Sequence, residues 1–185
     1  MEKNREKKIS KALSYWLRHS PEDIGIVVDS NGWTDIKDLI EKSKNRLMID
    51  FNELKYVVQN NEKQRFSLSE DMCSIRASQG HSIEVDLELK EVTPPAILYH
   101  GAPVGVIDVI MKEGLKKMGR HACHLSKDID TAKNVANRRK GGKAILKIEA
   151  MRMRGDGYKI YISDNGVYLV DEVPSKYISI FERYE

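Results

Sequence analysis

Arg65-Phe66-Ser67-Leu68-Ser69 and Cys73-Ser74-Ile75-Arg76-Ala77, joined across a polar turn at Glu70-Asp71, alternate apolar and polar residues. A period of two predicts a pair of antiparallel strands with one face buried. Working outward, the preceding residues carry helical periods. Ile9, Ala12, Leu13, Trp16 and Leu17 recur on one helical face, and Pro21 sets the stop just after Arg18-His19, which places those two residues at a helix C-terminus. Thr34 is expected to cap a second helix carrying Ile36, Leu39 and Ile40. Asp50 with Glu53 has the form of a capping box opening a third, with Leu54, Val57 and Val58. Three helices followed by a hairpin describe a winged helix.

Downstream, Val85-Asp86-Leu87-Glu88-Leu89-Lys90 also alternates and permits a strand, but Thr93-Pro94-Pro95 cannot continue a central one. The diproline therefore divides residues 1–92 from residues 93–185. Beyond it strands mix with helices. Strands are predicted over 96–99, 123–126 and 144–148, and helices over 104–112 and 129–138. Residues 158–162 and 167–170 flank Asp164-Asn165-Gly166, a hairpin turn signal, and 177–181 close the sheet. The expected fold class is α+β, a winged-helix lobe followed by a lobe built on a mixed β-sheet.

A chain of 185 residues can form one large domain or two small ones. With 41% hydrophobic and 32% charged residues it has the composition of a soluble globular protein, not of a disordered or membrane-spanning one. No apolar stretch approaches the roughly 18 residues of a spanning helix, and the first residues lead into an amphipathic helix without a signal-peptide core. A cytoplasmic monomer with no membrane partner is the expectation. Cys73 and Cys123 are too few for a disulfide framework or a structural zinc site, and both read as buried small apolar residues. The net charge of +3 says little, whereas its distribution says more. Lys3, Arg5, Lys7, Lys8, Lys11 and Arg18 crowd one end. Arg138-Arg139-Lys140 and Lys143 form a second basic run, followed by Arg152 and Arg154. Solvated helix faces explain any one run, but two of them beside phosphate-type motifs point to a nucleic-acid or nucleotide ligand.

Those motifs gather all five histidines beside Arg, Gly or Ser. Guanidinium forks grip phosphate oxygens, glycine admits close backbone approach, and imidazole moves a proton near neutral pH. Arg18-His19 alone is accounted for by the helix dipole, and Arg65 alone by a solvent-facing strand position. Arg76-Ala77-Ser78-Gln79-Gly80-His81-Ser82 carries more donors than a hairpin exit needs, which makes Arg76, Gln79, His81 and Ser82 candidates for holding RNA or phosphate. In Tyr99-His100-Gly101 the backbone past the glycine can meet a flat ligand closely. In Gly119-Arg120-His121-Ala122-Cys123-His124-Leu125-Ser126, His124 and Ser126 point to one face of a strand. His121 and His124 lack the further ligands that zinc wants. Gly141-Gly142-Lys143 lacks the upstream Gly and following hydroxyl of a P-loop and reads as a turn.

Together Leu17-Arg18-His19-Ser20-Pro21-Glu22, Gly32-Trp33, Gln64-Arg65-Phe66, the 76–82 string, Leu98-Tyr99-His100-Gly101, Gly119-Arg120-His121 and His124-Leu125-Ser126 resemble the ordered motifs of the NAD-dependent RNA 2′-phosphotransferases (tRNA 2′-phosphotransferases). The resemblance spans nearly the whole chain. It implies a winged-helix RNA lobe at residues 1–92 and an ADP-ribosyltransferase-like lobe at 93–185. NAD+ is held between them and consumed as co-substrate, and no metal takes part. By motif, the family's catalytic Arg-His-Arg-Arg tetrad is implied at Arg18, His19, Arg65 and Arg120. The NAD side is implied at His100, Gly101, His124 and Ser126, with Arg139 a looser candidate for the phosphates. One departure is Ala102 where the family usually has Thr, which removes a hydroxyl near the nicotinamide and bears on affinity more than on reaction type.

The implied reaction takes an internal 2′-phosphate off RNA. The phosphate attacks the anomeric carbon of the nicotinamide ribose, giving nicotinamide and ADP-ribosylated RNA. The ribose 2″-hydroxyl then attacks phosphorus, releasing RNA 2′-OH and ADP-ribose 1″,2″-cyclic phosphate. Where tRNA splicing leaves a 2′-phosphate, the resemblance implies that RNA. A phosphate whose second pKa is about 6 needs no general base for the first step. Arg18 and Arg65 suit its orientation, Arg120 suits the charge that builds in the second step, and His19 can hold the phosphate or protonate the leaving oxygen. The alternative is an ADP-ribosyltransferase that leaves ADP-ribose on a nucleic-acid phosphate end or a protein. A non-enzymatic winged-helix binder is the third reading, and the intact tetrad argues against it.

Overall fold

The computed structural model describes residues 1–119, 121–138 and 140–185. Arg120 and Arg139, the expected second-step and NAD-phosphate arginines, lie outside the described residues. The chain divides into two units, Met1–Glu88 and Leu89–Glu185, both mixing helices with small antiparallel sheets in an α+β arrangement.

In the first unit, α1 (Lys3–Arg18) buries Ile9, Leu13, Trp16 and Leu17, the face read from their spacing. Pro21 opens a short 3-10 turn, Pro21–Asp23. Next come β1 (Trp33–Asp35), α2 (Ile36–Ser43), α3 (Phe51–Gln59), β2 (Phe66–Leu68) and β3 (Ser74–Ala77). Asp50 and Glu53 form the expected capping box on α3, and Arg5 donates to the same Glu53 carboxylate at 2.8 Å. The hairpin forms with Phe66 opposite Ala77, but it gains a third strand, in the order β1-β3-β2. That strand displaces Thr34 from its expected cap. Thr34 is buried in β1 and donates to the Val27 carbonyl at 2.6 Å, while the Asp35 carboxylate accepts the Asp38 amide at 2.8 Å and caps α2. Leu13, Leu17, Leu39, Leu54, Val57, Phe66 and Ile75 share one core. Burying each such side chain stabilises by about 1.5–3 kcal/mol. Cys73, expected inside, is exposed, because it belongs to the turn between β2 and β3, where the Asp71 carboxylate takes its amide at 2.9 Å.

The alternating run at 85–90 is no strand over most of its length. Asp86 accepts the Glu88 amide at 2.9 Å and Glu88 adopts φ of +50°, a local turn that breaks the extended path. Only β4 (Lys90–Glu91) remains, and it opens the second unit. There follow β5 (Leu98–Pro103), α4 (Ile107–Glu113), β6 (Leu115–Lys116), β7 (Cys123–Leu125), α5 (Ile129–Ala136), β8 (Lys143–Ile148), α6 (Ala150–Gly155), β9 (Tyr161–Ile162), β10 (Tyr168–Val170), β11 (Glu172–Val173) and β12 (Ile178–Tyr184). The single mixed sheet of the sequence reading is replaced, among the described residues, by three antiparallel sheets, β12-β8-β5, β4-β9-β10-β7 and β11-β6. β5 begins later and runs further than expected, because β8 pairs with it from Leu98↔Ile148 to Pro103↔Lys143. His100 and Gly101 therefore sit inside a strand, not beyond one. The Asp164-Asn165-Gly166 turn joins β9 to β10, with Gly166 at φ of +76°. Leu98, Leu125, Leu146, Ile148, Val170 and Tyr177 belong to the core of this unit.

Candidate active site

The last carbonyls of a helix have no intrahelical partner. At the end of α1 the Arg18 carbonyl takes the amides of Ser82, at 2.9 Å, and Ile83, at 3.3 Å, so the segment after β3 is fastened to the helix terminus. The side chains follow the backbone. Ser82 Oγ donates to the Arg18 carbonyl at 3.4 Å and lies 2.9 Å from His19 Nδ1. With its proton so directed, the hydroxyl accepts Nδ1–H, so Nε2 of this exposed imidazole is an acceptor in the neutral ring and carries a proton only in the imidazolium. Arg18 Nη2 donates to the Arg65 carbonyl at 3.3 Å, and the same carbonyl takes the Ser78 amide at 2.8 Å. Helix end, entry to β2 and exit from β3 thus bring together Arg18, His19, Arg65 and Ser82.

Two backbone conformations support this cluster. Gly80 has φ of +87°, and a Cβ there would stand an ordinary 3.7 Å from Arg18 Nη1, so the dihedral and not the space requires glycine. Gln64 has φ of +41°, a conformation that costs a non-glycine residue about 1–3 kcal/mol. Its neighbours hold it there. The Gln64 amide donates to the Asn61 carbonyl at 2.8 Å, and Ser78 Oγ donates to the Gln64 carbonyl at 2.8 Å.

Asn61 is a site residue that the sequence reading missed. It is 7% exposed; Nδ2 donates to Ser10 Oγ at 3.3 Å, and Oδ1 accepts from the Arg65 amide at 3.4 Å and from Arg65 Nη1 at 3.3 Å. It ties the guanidinium to α1 across the core edge. Asn60-Asn61 after a helix reads as an ordinary helix exit, and no local signal separates the two.

The remaining phosphate candidates divide. Arg76 in β3 stacks its guanidinium over Trp33, 4.6 Å from the ring, which accounts for the Gly32-Trp33 motif beside it. His81 is buried at 1% exposure, and its Nε2 lies 3.6 Å from where a Cβ on Gly32 would stand. Its place is inside the unit, within the 78–83 segment. Gln79 is half-buried in the same segment.

In the second unit, β5 and β7 meet. Tyr99 and Ser126 exchange two backbone hydrogen bonds of 2.8 Å each, and His100 donates Nδ1–H to the His124 carbonyl at 2.9 Å. The neutral His100 ring therefore keeps Nε2 as an acceptor. His100, Gly101, His124 and Ser126 all fall on this seam, and both histidines and Ser126 are half-buried. Gly101 has a second reason to be glycine, one the sequence reading did not find. A Cβ there would lie 2.4 Å from the Ala132 carbonyl oxygen and 2.8 Å from the Ala136 Cβ, both on α5.

Two guanidiniums and an imidazole on one face are the donor set for a dianionic phosphate, and the seam offers an acceptor nitrogen and a hydroxyl for a polar ligand. A family model described as RNA 2′-phosphotransferase, Tpt1 / KptA family, matches residues 4–172. A protein of Fusobacterium nucleatum named Probable RNA 2′-phosphotransferase is 54% identical over 172 residues, covering 92% of this chain and 96% of that one. A protein of the same name from Flavobacterium johnsoniae is 52% identical over 179 residues, with 96% and 98% covered. Another, from Burkholderia pseudomallei, is 49% identical over 170 residues, with 91% and 92% covered.

Proposed function

We propose, for a chain that belongs to the RNA 2′-phosphotransferase family, that it removes an internal RNA 2′-phosphate by transferring it to NAD+. The products are RNA 2′-OH, nicotinamide and ADP-ribose 1″,2″-cyclic phosphate, and the enzyme acts as a cytoplasmic monomer. The observation that carries this reading is the convergence of Arg18, His19, Arg65 and Ser82 around the end of α1. Arg18 and Arg65 hold the phosphate dianion, each charge-assisted hydrogen bond contributing about 1.5–3 kcal/mol where water is excluded. His19, oriented by Ser82 through Nδ1, presents Nε2 to the phosphate or to the RNA 2′-oxygen that must leave with a proton, and Nε2 supplies that proton when the ring is the imidazolium. Asn61 fixes the Arg65 fork. Arg120 is assigned to the charge on the non-bridging oxygens by its motif alone.

NAD+ enters as second substrate and supplies an electrophilic ribose carbon with a stable leaving group. The β5–β7 seam suits it. His100 Nε2 can accept from an amide or hydroxyl, Ser126 adds a hydroxyl, and His124 holds His100 through its carbonyl. Arg139 is the looser candidate for the NAD phosphates, on the resemblance alone. In the same reading residues 1–92 are a winged-helix RNA lobe, supported by the three helices and the hairpin within Met1–Glu88, and residues 93–185 are an ADP-ribosyltransferase-like lobe. Guanidinium charge does the work for which other phosphate enzymes use a metal ion. No helix among the described residues is long and apolar enough to cross a membrane.

The test is to incubate the protein with NAD+ and a short RNA carrying one internal 2′-phosphate and to resolve all products. Equimolar nicotinamide, RNA 2′-OH and cyclic phosphate are expected. A stable ADP-ribose adduct in their place identifies an ADP-ribosyltransferase, and no nicotinamide release under any RNA refutes both enzymatic readings.

A further inference from the structure

Apart from Arg18, the basic run at the start of the chain has no part in the site described above, yet it leads to it. Lys3, Lys7, Lys11, Ser14 and Arg18 advance along α1 by four, four, three and four residues, so they form one stripe, opposite the buried face of Ile9, Leu13 and Leu17. That stripe is one wall of a groove of ≈ 910 Å³ within the first unit, whose lining also includes Lys63, His19 and Arg65, with Tyr15 and Tyr56. Six Lys and Arg side chains line it against two acidic ones, Glu6 and Glu62. Lys3, Lys7 and Lys11 are exposed and enter no ion pair among the described residues. Tyr15 and Tyr56 are 48% and 38% exposed, so two large rings stand open on the walls of a charged groove.

Charge along a helix, spaced at about 6 Å per four residues, together with exposed aromatic rings, is the arrangement by which a protein tracks an unpaired nucleic-acid strand. The cations follow the backbone, and bases stack on the rings. We infer that this groove holds the single-stranded RNA flanking the phosphorylated nucleotide, on one side only, with Lys3, Lys7 and Lys11 on successive phosphates and Tyr15 and Tyr56 as stacking platforms. The identity of the reacting nucleotide rests on the proposed activity, while the groove's affinity for an RNA strand does not. The one-sidedness follows from the helix. From Arg18, α1 runs back about 22 Å to Lys3 at 1.5 Å per residue, in one direction from the phosphate cluster. A strand leaving the cluster the other way does not meet these lysines.

The experiment compares wild type with the Lys3→Gln/Lys7→Gln/Lys11→Gln triple variant and the matching triple Arg variant. In the first arm, binding of an unmodified 12-nucleotide single-stranded RNA is followed by fluorescence anisotropy across a KCl series. Losing three phosphate contacts lowers the slope of log K against log salt by about 2, so between 50 and 200 mM wild type loses about 16-fold more affinity than the Gln variant. The Arg variant keeps the wild-type slope. In the second arm, 2′-phosphorylated RNAs extended only 5′ or only 3′ are turned over with NAD+. The Gln variant raises KM for one extension relative to the other, and Tyr15→Ala does the same. An unchanged salt slope, equal loss for both extensions, or equal loss for double-stranded RNA overturns the inference. If wild type turns over neither substrate, the proposed activity fails, and the binding arm still decides the groove.

Discussion

Replacing Gly101 by Ala tests whether this glycine is demanded by helix packing. The new methyl would lie 2.4 Å from the Ala132 carbonyl oxygen and 2.8 Å from the Ala136 Cβ, whereas unstrained heavy-atom contacts stand at about 3.5–4.0 Å. Neither neighbour can rotate away, since one is main chain and the other a Cβ. The accommodation is therefore an outward shift of α5 by about 1 Å, which loosens the Ala132, Ala136 and Ile145 cluster packed beneath it. Overpacking of this kind costs about 1–3 kcal/mol. The upper half of that range applies, because two contacts are violated together, and the lower entropy of the unfolded Ala chain offsets only about 0.4–1 kcal/mol. A net loss of about 2 kcal/mol, at a urea dependence of about 2 kcal/mol per M, moves the unfolding midpoint down by about 1 M. Urea titrations followed by far-ultraviolet circular dichroism measure it. Gly105→Ala is the control, since nothing lies within 4 Å of its added methyl, and its midpoint is expected within about 0.5 kcal/mol of wild type. Equal midpoints for Gly101→Ala and Gly105→Ala would refute the packing account and return Gly101 to a purely ligand-facing explanation.

Three further outcomes are expected. His19→Ala lowers kcat by about 10²–10⁴, Ser82→Ala by about two- to tenfold through loss of one orienting hydrogen bond, and the double variant is no slower than His19→Ala, because Ser82 acts through the ring; additive losses would separate the two residues. Arg65→Lys keeps the charge but loses both the fork and the bond to Asn61 Oδ1, so single-turnover rates fall about ten- to hundredfold; near-full activity would remove the bidentate role. Burial first, and then the carboxylates of Asp171 and Glu172, push the Cys123 thiol up to about 11 from its ordinary 9.0. The neutral thiol's contribution is fully present below pH 9 and is lost as the pH climbs toward 11, where the unfolded thiol ionises and the folded one does not. The stability difference between wild type and Cys123→Ala therefore shrinks across that window, and at pH 8 a thiol reagent labels exposed Cys73 alone in the native protein; two fast-reacting thiols would contradict the burial.

Elements with a long period were legible before folding. The α1 face, the Asp50–Glu53 box and the 66–77 hairpin all announce themselves within a dozen residues, because a helix stripe or strand alternation repeats locally. β1, β6 and β11, at two or three residues, carry too few repeats to be seen, and each exists only because a partner strand supplies its hydrogen bonds. The 85–90 alternation pointed to a strand, but the Asp86 side chain competed for the backbone and won. Thr34 and Asp35 are both good caps; the choice fell to Asp35 because Thr34 is buried in β1 with its hydroxyl given to the Val27 carbonyl. Within the site, the motifs named Arg18, His19, Arg65 and Ser82, whereas Asn61 carried no mark of its own.

The sequence by itself determined which chemistry this chain owns. Arginine forks, imidazoles and a string of lysines are covalent facts, and proline and glycine positions limit the backbone before any contact forms. Tertiary structure decided which of those groups meet. The Arg18 carbonyl captures the Ser82 amide and the Arg65 carbonyl captures the Arg18 guanidinium across more than forty residues of chain. The orphan groups at a helix end must be satisfied by some partner, and no local pattern says which distant segment will supply it.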